Sequence, residues 1–160
     1  MVNKNKFKYL KEKYKLDKGT TLIYSKSKSY YDPWNKIISV KENGTDFIFF
    51  HEMRHAIILQ KNFFISFALK TIRISLISLC TIWPFILLLS SLFYSLEIVK
   101  SFMKIIGFTI ISLGIIVWFE ELDANIFAIK NSKDVKKEFL KSQLSYCLPF
   151  FIGIIILNME

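Results

Sequence analysis

Residues 74–99 carry no charged side chain except Glu97 near the end, and this run limits what the chain can become more than any other feature. As a helix rising about 1.5 Å per residue it covers about 39 Å, enough to cross a hydrocarbon core of about 30 Å with some tilt. Pro84 falls inside it and favours a kink. Residues 100–104 read as a short turn. A second apolar run, residues 105–119, covers about 22 Å and gains length from residues 101–104, with Lys104 snorkelling to the interface. A third, residues 144–157, covers about 21 Å and either crosses or lies along the interface. The expected fold class is therefore a mainly α membrane protein with two or three transmembrane helices.

The front of the chain is different. Apolar residues are sparse up to residue 46 and dense from Phe47 onward. This divides the sequence into a basic N-terminal arm with a small β segment, residues 1–46, and a membrane-embedded helical core, residues 47–160. Residues 1–20 read as a Lys-rich surface arm. Thr21–Ser25 and residues 36–40 are β-branched or aromatic runs separated by an Asp32-Pro33 turn signal, so a small hairpin or strand pair is expected. Glu42-Asn43-Gly44 closes it, Thr45 or Asp46 is suited to cap a helix, and the helix runs over residues 47–60.

The net charge is +9, with lysines concentrated before residue 20 and again from Lys130 to Lys141. Beside apolar spans this pattern marks the cytoplasmic face of a membrane protein. The basic stretches lack the aromatic interleaving of an RNA-binding motif, so no nucleic-acid partner is expected. The N-terminus has no apolar stretch of the kind found in a signal peptide. Cys80 and Cys147 both sit in apolar runs, outside any Cys-x-x-Cys pair, and read as buried thiols.

The chemistry concentrates in His51-Glu52-Met53-Arg54-His55. These are the only two histidines in the chain, four residues apart in a His-Glu-x-x-His pattern. On a helix both imidazoles lie on one face and can share a zinc ion, while the intervening Glu52 serves as general base towards a water. Such polar residues among Phe47, Ile48, Phe49, Phe50, Ala56 and Ile57 need partners to offset desolvation, and a metal supplies them. A catalytic zinc takes three protein ligands. With no third histidine, the remaining ligand is a carboxylate or, less favourably, a cysteine. Glu120 and Glu121 both stand where the second apolar run ends. Two crossings between residues 60 and 120 return the chain to the surface it left, so either carboxylate can meet the histidine helix.

Glu121-Leu-Asp-Ala-Asn-Ile-Phe-Ala128 resembles the Glu-x-Asp-Ala-Ser/Asn-x-x-Ala segment of bacterial membrane-bound neutral zinc metallopeptidases, the YugP-like group, and more distantly the Glu-x-x-Ala-Asp helix of prenyl-protein and heat-shock membrane endopeptidases. Tyr31-Asp-Pro-Trp-Asn-Lys-Ile-Ile-Ser39 is similar to the Tyr-Asp-Pro segment that group carries before its histidine helix. The likeness extends through most of residues 22–157. It implies a gluzincin with one zinc per chain, His51, His55 and Glu121 as ligands, Glu52 as base, and Asp123 and Asn125 supporting the site. The sequence departs from the group at Arg54, where Gly is usual, and at Ile57 and Ile58, near a usual Gln. Arg54 is placed to crowd the helix packing, to pair with Asp123, or to meet a substrate carboxylate. A Glu-Glu-x-x-x-Arg protease motif is excluded, because Asn125 occupies the Arg position.

The resulting expectation is a zinc-dependent endopeptidase in a bacterial cell membrane. Its site would face the cytoplasm and act on peptides or membrane proteins. Lys36, Ile37, Ile38, Ser39 and Val40 would form an edge strand on which an extended peptide could pair. The alternative is a regulatory or immunity protein of the membrane, derived from such a peptidase and weak or inactive in catalysis.

Overall fold

The structure is a computed structural model describing residues 4–132 and 136–159. It is mainly helical, with a three-stranded sheet and, among the described residues, three helices long and apolar enough to cross a membrane: Phe63–Phe93, Leu96–Asn131 and Glu138–Leu157. Lys133 of the basic connector lies outside the described residues. The chain divides into two compact units, one of residues 1–67 and 121–142, the other of residues 68–120 and 143–160.

The first unit opens with α1 (Lys4–Lys13), followed by β1 (Thr21–Ser25), β2 (Tyr30–Asp32), β3 (Ile37–Lys41) and α2 (Asp46–Lys61). The Lys-rich start is not only a surface arm. Phe7, Leu10 and Leu16 are buried in a core with Ile38, Val40, Phe47, Phe49, Phe50 and Met53. The sheet and α2, on either side of the compositional boundary at residue 46, therefore share one core. Thr45 caps α2, its Oγ1 accepting from the Ile48 amide at 3.4 Å.

The strand order is β1-β3-β2. β1 runs parallel to β3, Thr21 opposite Ile37, while β2 pairs antiparallel with β3, Tyr30 opposite Ser39. This refines one expectation and corrects another. Thr21–Ser25 and the 36–40 run do pair, as a strand pair would, but in parallel, and the hairpin is formed by β2 and β3. Also, residues 36–40 are not an edge, because β3 is bonded on both sides and Ile38, Ser39 and Val40 are buried. The turn of the true hairpin is held by Asp32, whose Oδ1 accepts from the Trp34 and Asn35 amides, and Lys36 takes a positive φ of 54° to enter β3.

The second unit holds most of α3 (Phe63–Phe93), the front of α4 (Leu96–Asn131), the end of α5 (Lys136–Ser145) and α6 (Leu148–Leu157). The break between the first two spans falls at Tyr94 and Ser95, not at residues 100–104, and Lys100 and Lys104 lie inside α4. Lysine is a good helix former, so two lysines near an interface do not end a helix. α6 packs antiparallel along α4. A Cβ on Gly107 would lie 3.1 Å from the Gly153 carbonyl oxygen, and one on Gly114 would lie 3.4 Å from Pro149 Cβ. Small residues at such contacts let membrane helices approach closely. Leu76, Val99, Met103, Ile106, Ile110, Val117 and Ile156 form this unit's core. Arg73 and Glu120 form an ion pair in this unit, at 2.9 Å from Nη2 to Oε2.

Candidate metal centre

The candidate centre lies wholly within the first unit. It joins one turn of α2 to the segment of α4 that belongs to the same unit. Along that segment Glu121, Ala124, Asn125 and Ala128 recur at helical spacing and are all buried. The two alanines present no side chain beyond Cβ, which permits close approach to α2. Glu121 and Asn125 are the polar members of the same stripe.

Glu121 Oε2 lies 3.2 Å from His51 Nε2 and 3.6 Å from His55 Nε2, and the two Nε2 atoms are 3.2 Å apart. All three residues are buried, Glu121 to 1% exposure. Ligands of a tetrahedral ion bound at about 2.0–2.1 Å sit about 3.3 Å from one another. The triangle matches that spacing on each side to within a few tenths of an ångström. This buried group could bind a metal ion.

The hydrogen bonds around His51 are compatible with the same reading. His51 Nδ1 is 2.7 Å from Asn125 Oδ1, and Asn125 Nδ2 donates to Ser142 Oγ at 3.1 Å. With its amide so oriented, Asn125 Oδ1 accepts a hydrogen bond from His51 Nδ1–H. In a neutral imidazole that leaves a lone pair on Nε2, facing His55 and Glu121. Lone pairs on imidazole nitrogen and carboxylate oxygen at these separations need a cation between them, either a shared proton or a metal. The Nδ1–carboxamide contact is also the kind of outer contact that fixes the tautomer of a metal-ligating histidine.

Glu52 is buried on α2 directly after His51 and stands outside the three-residue group. Neighbours on a helix project about 100° apart, so its carboxylate does not share the ligand face of His51 and His55. Arg54 pairs with Asp123, Nε to Oδ2 at 2.7 Å and Nη2 to Oδ1 at 3.3 Å, and its guanidinium lies 5.5 Å from the Phe127 ring centroid. Of the roles open to Arg54 in sequence, the pairing with Asp123 is present, as a bidentate link between α2 and α4.

The structure thus brings together His51, His55, Glu121 and Asn125, and separately Arg54 and Asp123. Glu120, the other candidate third ligand, is bonded instead to Arg73 in the second unit. Lys36, Ile37, Ile38, Ser39 and Val40 keep their strand but not an edge. Ser142, which holds the Asn125 amide, escaped the sequence reading, since a serine in a Lys-rich segment carries no signal of its own. No protein-family model, no curated protein and no solved structure matches this chain.

Proposed function

We propose that this protein is a membrane-bound, zinc-dependent endopeptidase. One observation carries the reading. Two imidazole nitrogens and a carboxylate oxygen converge at 3.2–3.6 Å from a His-Glu-x-x-His helix and a second helix. A buried set of two histidines and one carboxylate suits zinc, which favours nitrogen and oxygen donors in tetrahedral array. The likeness of the segment from Glu121 to Ala128 to membrane-bound neutral zinc metallopeptidases points the same way.

A zinc ion in this group would supply Lewis-acid polarisation and bring the pKa of a water down to about 7. The chain's own residues account for the rest. Asn125 holds His51 with its Nε2 lone pair turned inward. Glu52, beside His51 but off the ligand face, accepts the proton of the attacking water and returns it to the leaving amine. Peptides in extended form can add at β1 or β2, the outer strands of the sheet. The lysine distribution favours a cytoplasmic site in a bacterial cell membrane, with membrane or juxtamembrane peptides as substrates.

The test pairs metal analysis of the detergent-purified protein with a peptide-hydrolysis assay on the wild type and Glu52→Gln. The expected result is about one zinc per chain in both proteins, with hydrolysis only in the wild type. Zinc in both without hydrolysis in either supports the non-enzymatic regulatory alternative. Purified protein that neither carries nor takes up zinc refutes the metal reading.

A further inference from the structure

Four strongly exposed aromatic side chains of the first unit stand at two places that one side chain links. Trp34 is 79% exposed in the β2–β3 turn, and Phe63, Phe64 and Phe67 are 75%, 79% and 62% exposed at the start of α3. Phe63 packs against both of its neighbours, with ring centroids 6.0 Å from Phe64 and 6.5 Å from Phe67. The turn and the α2–α3 junction are tied through one side chain. Gln60, three residues before Phe63, donates to Tyr31 Oη at 2.8 Å, and Tyr31 stands three residues before Trp34. Gln60 Oε1 also accepts from the Asp17 amide at 2.8 Å, and Asp17 is ion-paired at 2.6 Å with Lys36 of the same turn.

Exposed lysines stand close in sequence to the residues of this link. Lys61 precedes Phe63 by two residues, and Lys15 and Lys18 flank Asp17; all three are exposed. Of the acids beside them, Asp17 is engaged by Lys36, Asp32 caps the turn, and Glu12 shares the surface of Lys15 and Lys18 with Lys8 and Lys11. α3 is 31 residues long, about 46 Å, longer than a hydrocarbon core of about 30 Å, and its charge-free part begins only after Arg73. Lys70 and Arg73 therefore stand between that part and the Phe63 end, which lies on the headgroup side of the crossing. Aromatic rings and lysines are the side chains that settle there.

We propose that Trp34 and the Phe63-Phe64-Phe67 cluster form an interfacial anchor. In this arrangement the β2–β3 turn dips into the headgroup layer of a bilayer containing anionic lipid, and Lys15, Lys18 and Lys61 meet the lipid phosphates. The first unit is then held to the membrane surface by its sheet as well as by the chain entering α3. The proposal rests on α3 crossing a bilayer, not on the peptidase reading.

The full chain, reconstituted in nanodiscs of phosphatidylcholine and phosphatidylglycerol in equal parts, tests it by tryptophan fluorescence. Subtracting the emission of Trp34→Phe from that of the wild type isolates Trp34. The variant itself reports Trp83 and Trp118, which lie in the apolar helices. Lipids brominated near the top of the acyl chain are expected to quench Trp34 about twofold more than lipids brominated near its end, with little quenching by aqueous iodide. Full iodide quenching of Trp34 without lipid quenching overturns the proposal. Protection from both probes overturns it too, and assigns the patch to a protein surface such as a second copy. If Trp83 and Trp118 also escape the deep brominated lipid, the membrane crossing on which the proposal rests has failed with it. Substituting Ala at Lys15, Lys18 and Lys61 together should lower Trp34 quenching by the shallow lipid. Unchanged quenching removes the anionic-lipid part of the assignment.

Discussion

Asn125 Oδ1 lies 2.7 Å from His51 Nδ1, and the same amide reaches Ser142 Oγ at 3.1 Å. With Oδ1 facing the ring, Asn125 of α4 can accept from His51 Nδ1, which leaves the Nε2 lone pair of this α2 histidine towards His55 and Glu121. If the centre binds metal, Asn125→Ala should weaken it by about 10–100-fold, the usual range for losing an outer partner of a ligating histidine. Ser142→Ala should have a smaller effect, because the amide can keep its contact to His51 without it. Zinc competition against a chelator measures both. Equal affinity in Asn125→Ala and wild type would mean that His51 is not a ligand held by this contact.

Arg54 and Asp123 should be coupled in stability. Their bidentate geometry is favourable, but the side chains are 28% and 47% exposed, so solvent screens the pair. A double-mutant cycle of Arg54→Ala and Asp123→Ala should give about 1 kcal/mol. Because Arg54 also lies over Phe127, its single change should cost more than that of Asp123. Additive single effects would show that the pair contributes nothing net.

Much of this centre was legible in sequence because its signals are local or periodic. His51 and His55 are one helical turn apart, and Glu121 and Asn125 repeat that spacing on a second helix. The sheet was less legible because its pairing is not local. β1 meets β3 in parallel across a connection that itself supplies β2, and Tyr30–Asp32 is too short and too close to Pro33 to stand out as a strand. The helix break was misplaced for the opposite reason. Lys100 and Lys104 are conspicuous in an apolar stretch, while Tyr94 and Ser95, where the chain does turn, are not.

The exposed Asp17 carboxyl is held below its ordinary 3.8 by the Lys36 ammonium and by the Gly19 amide, which donates at 2.7 Å. A carboxyl lowered in the folded state adds stability above its unfolded value, and that stability is lost as pH falls through the folded one. Asp17→Asn should therefore flatten the loss of stability of the wild type below about pH 4, with little change in shape near neutrality. Chemical unfolding followed over a pH series checks this. Parallel curves for the two proteins would contradict it.

Gly153 should not accept a side chain. A Cβ there would lie 2.5 Å from Ile111 Cγ1 and 3.1 Å from the Gly107 carbonyl oxygen, so either Ile111 or the α4–α6 spacing must give. Gly153→Ala should destabilise the second unit by about 1–3 kcal/mol. Unfolding in detergent measures the loss. An unchanged midpoint would show that α6 does not approach α4 this closely.

The two adjacent carboxylates at the end of the second span should separate cleanly by experiment. Glu121 is 1% exposed and belongs with His51 and His55, whereas Glu120 is turned about 100° around the helix and bonded to Arg73. If the centre binds zinc, Glu121→Ala removes one of three ligands and should lose most of the metal, since two histidines alone leave the shell open. Glu120→Ala should keep the metal but lower the unfolding midpoint, because Arg73 loses its 2.9 Å partner in a part-buried setting. Glu121→Gln sharpens the contrast. It retains the side chain's volume but not its charge, so a fold that survives while zinc is lost assigns the defect to coordination, not packing. The readouts are zinc content after dialysis and the midpoint of thermal unfolding in detergent. The reverse pattern, with zinc lost in Glu120→Ala and kept in Glu121→Ala, would move the third ligand by one residue. Normal zinc in both would reject a centre shared by α2 and α4.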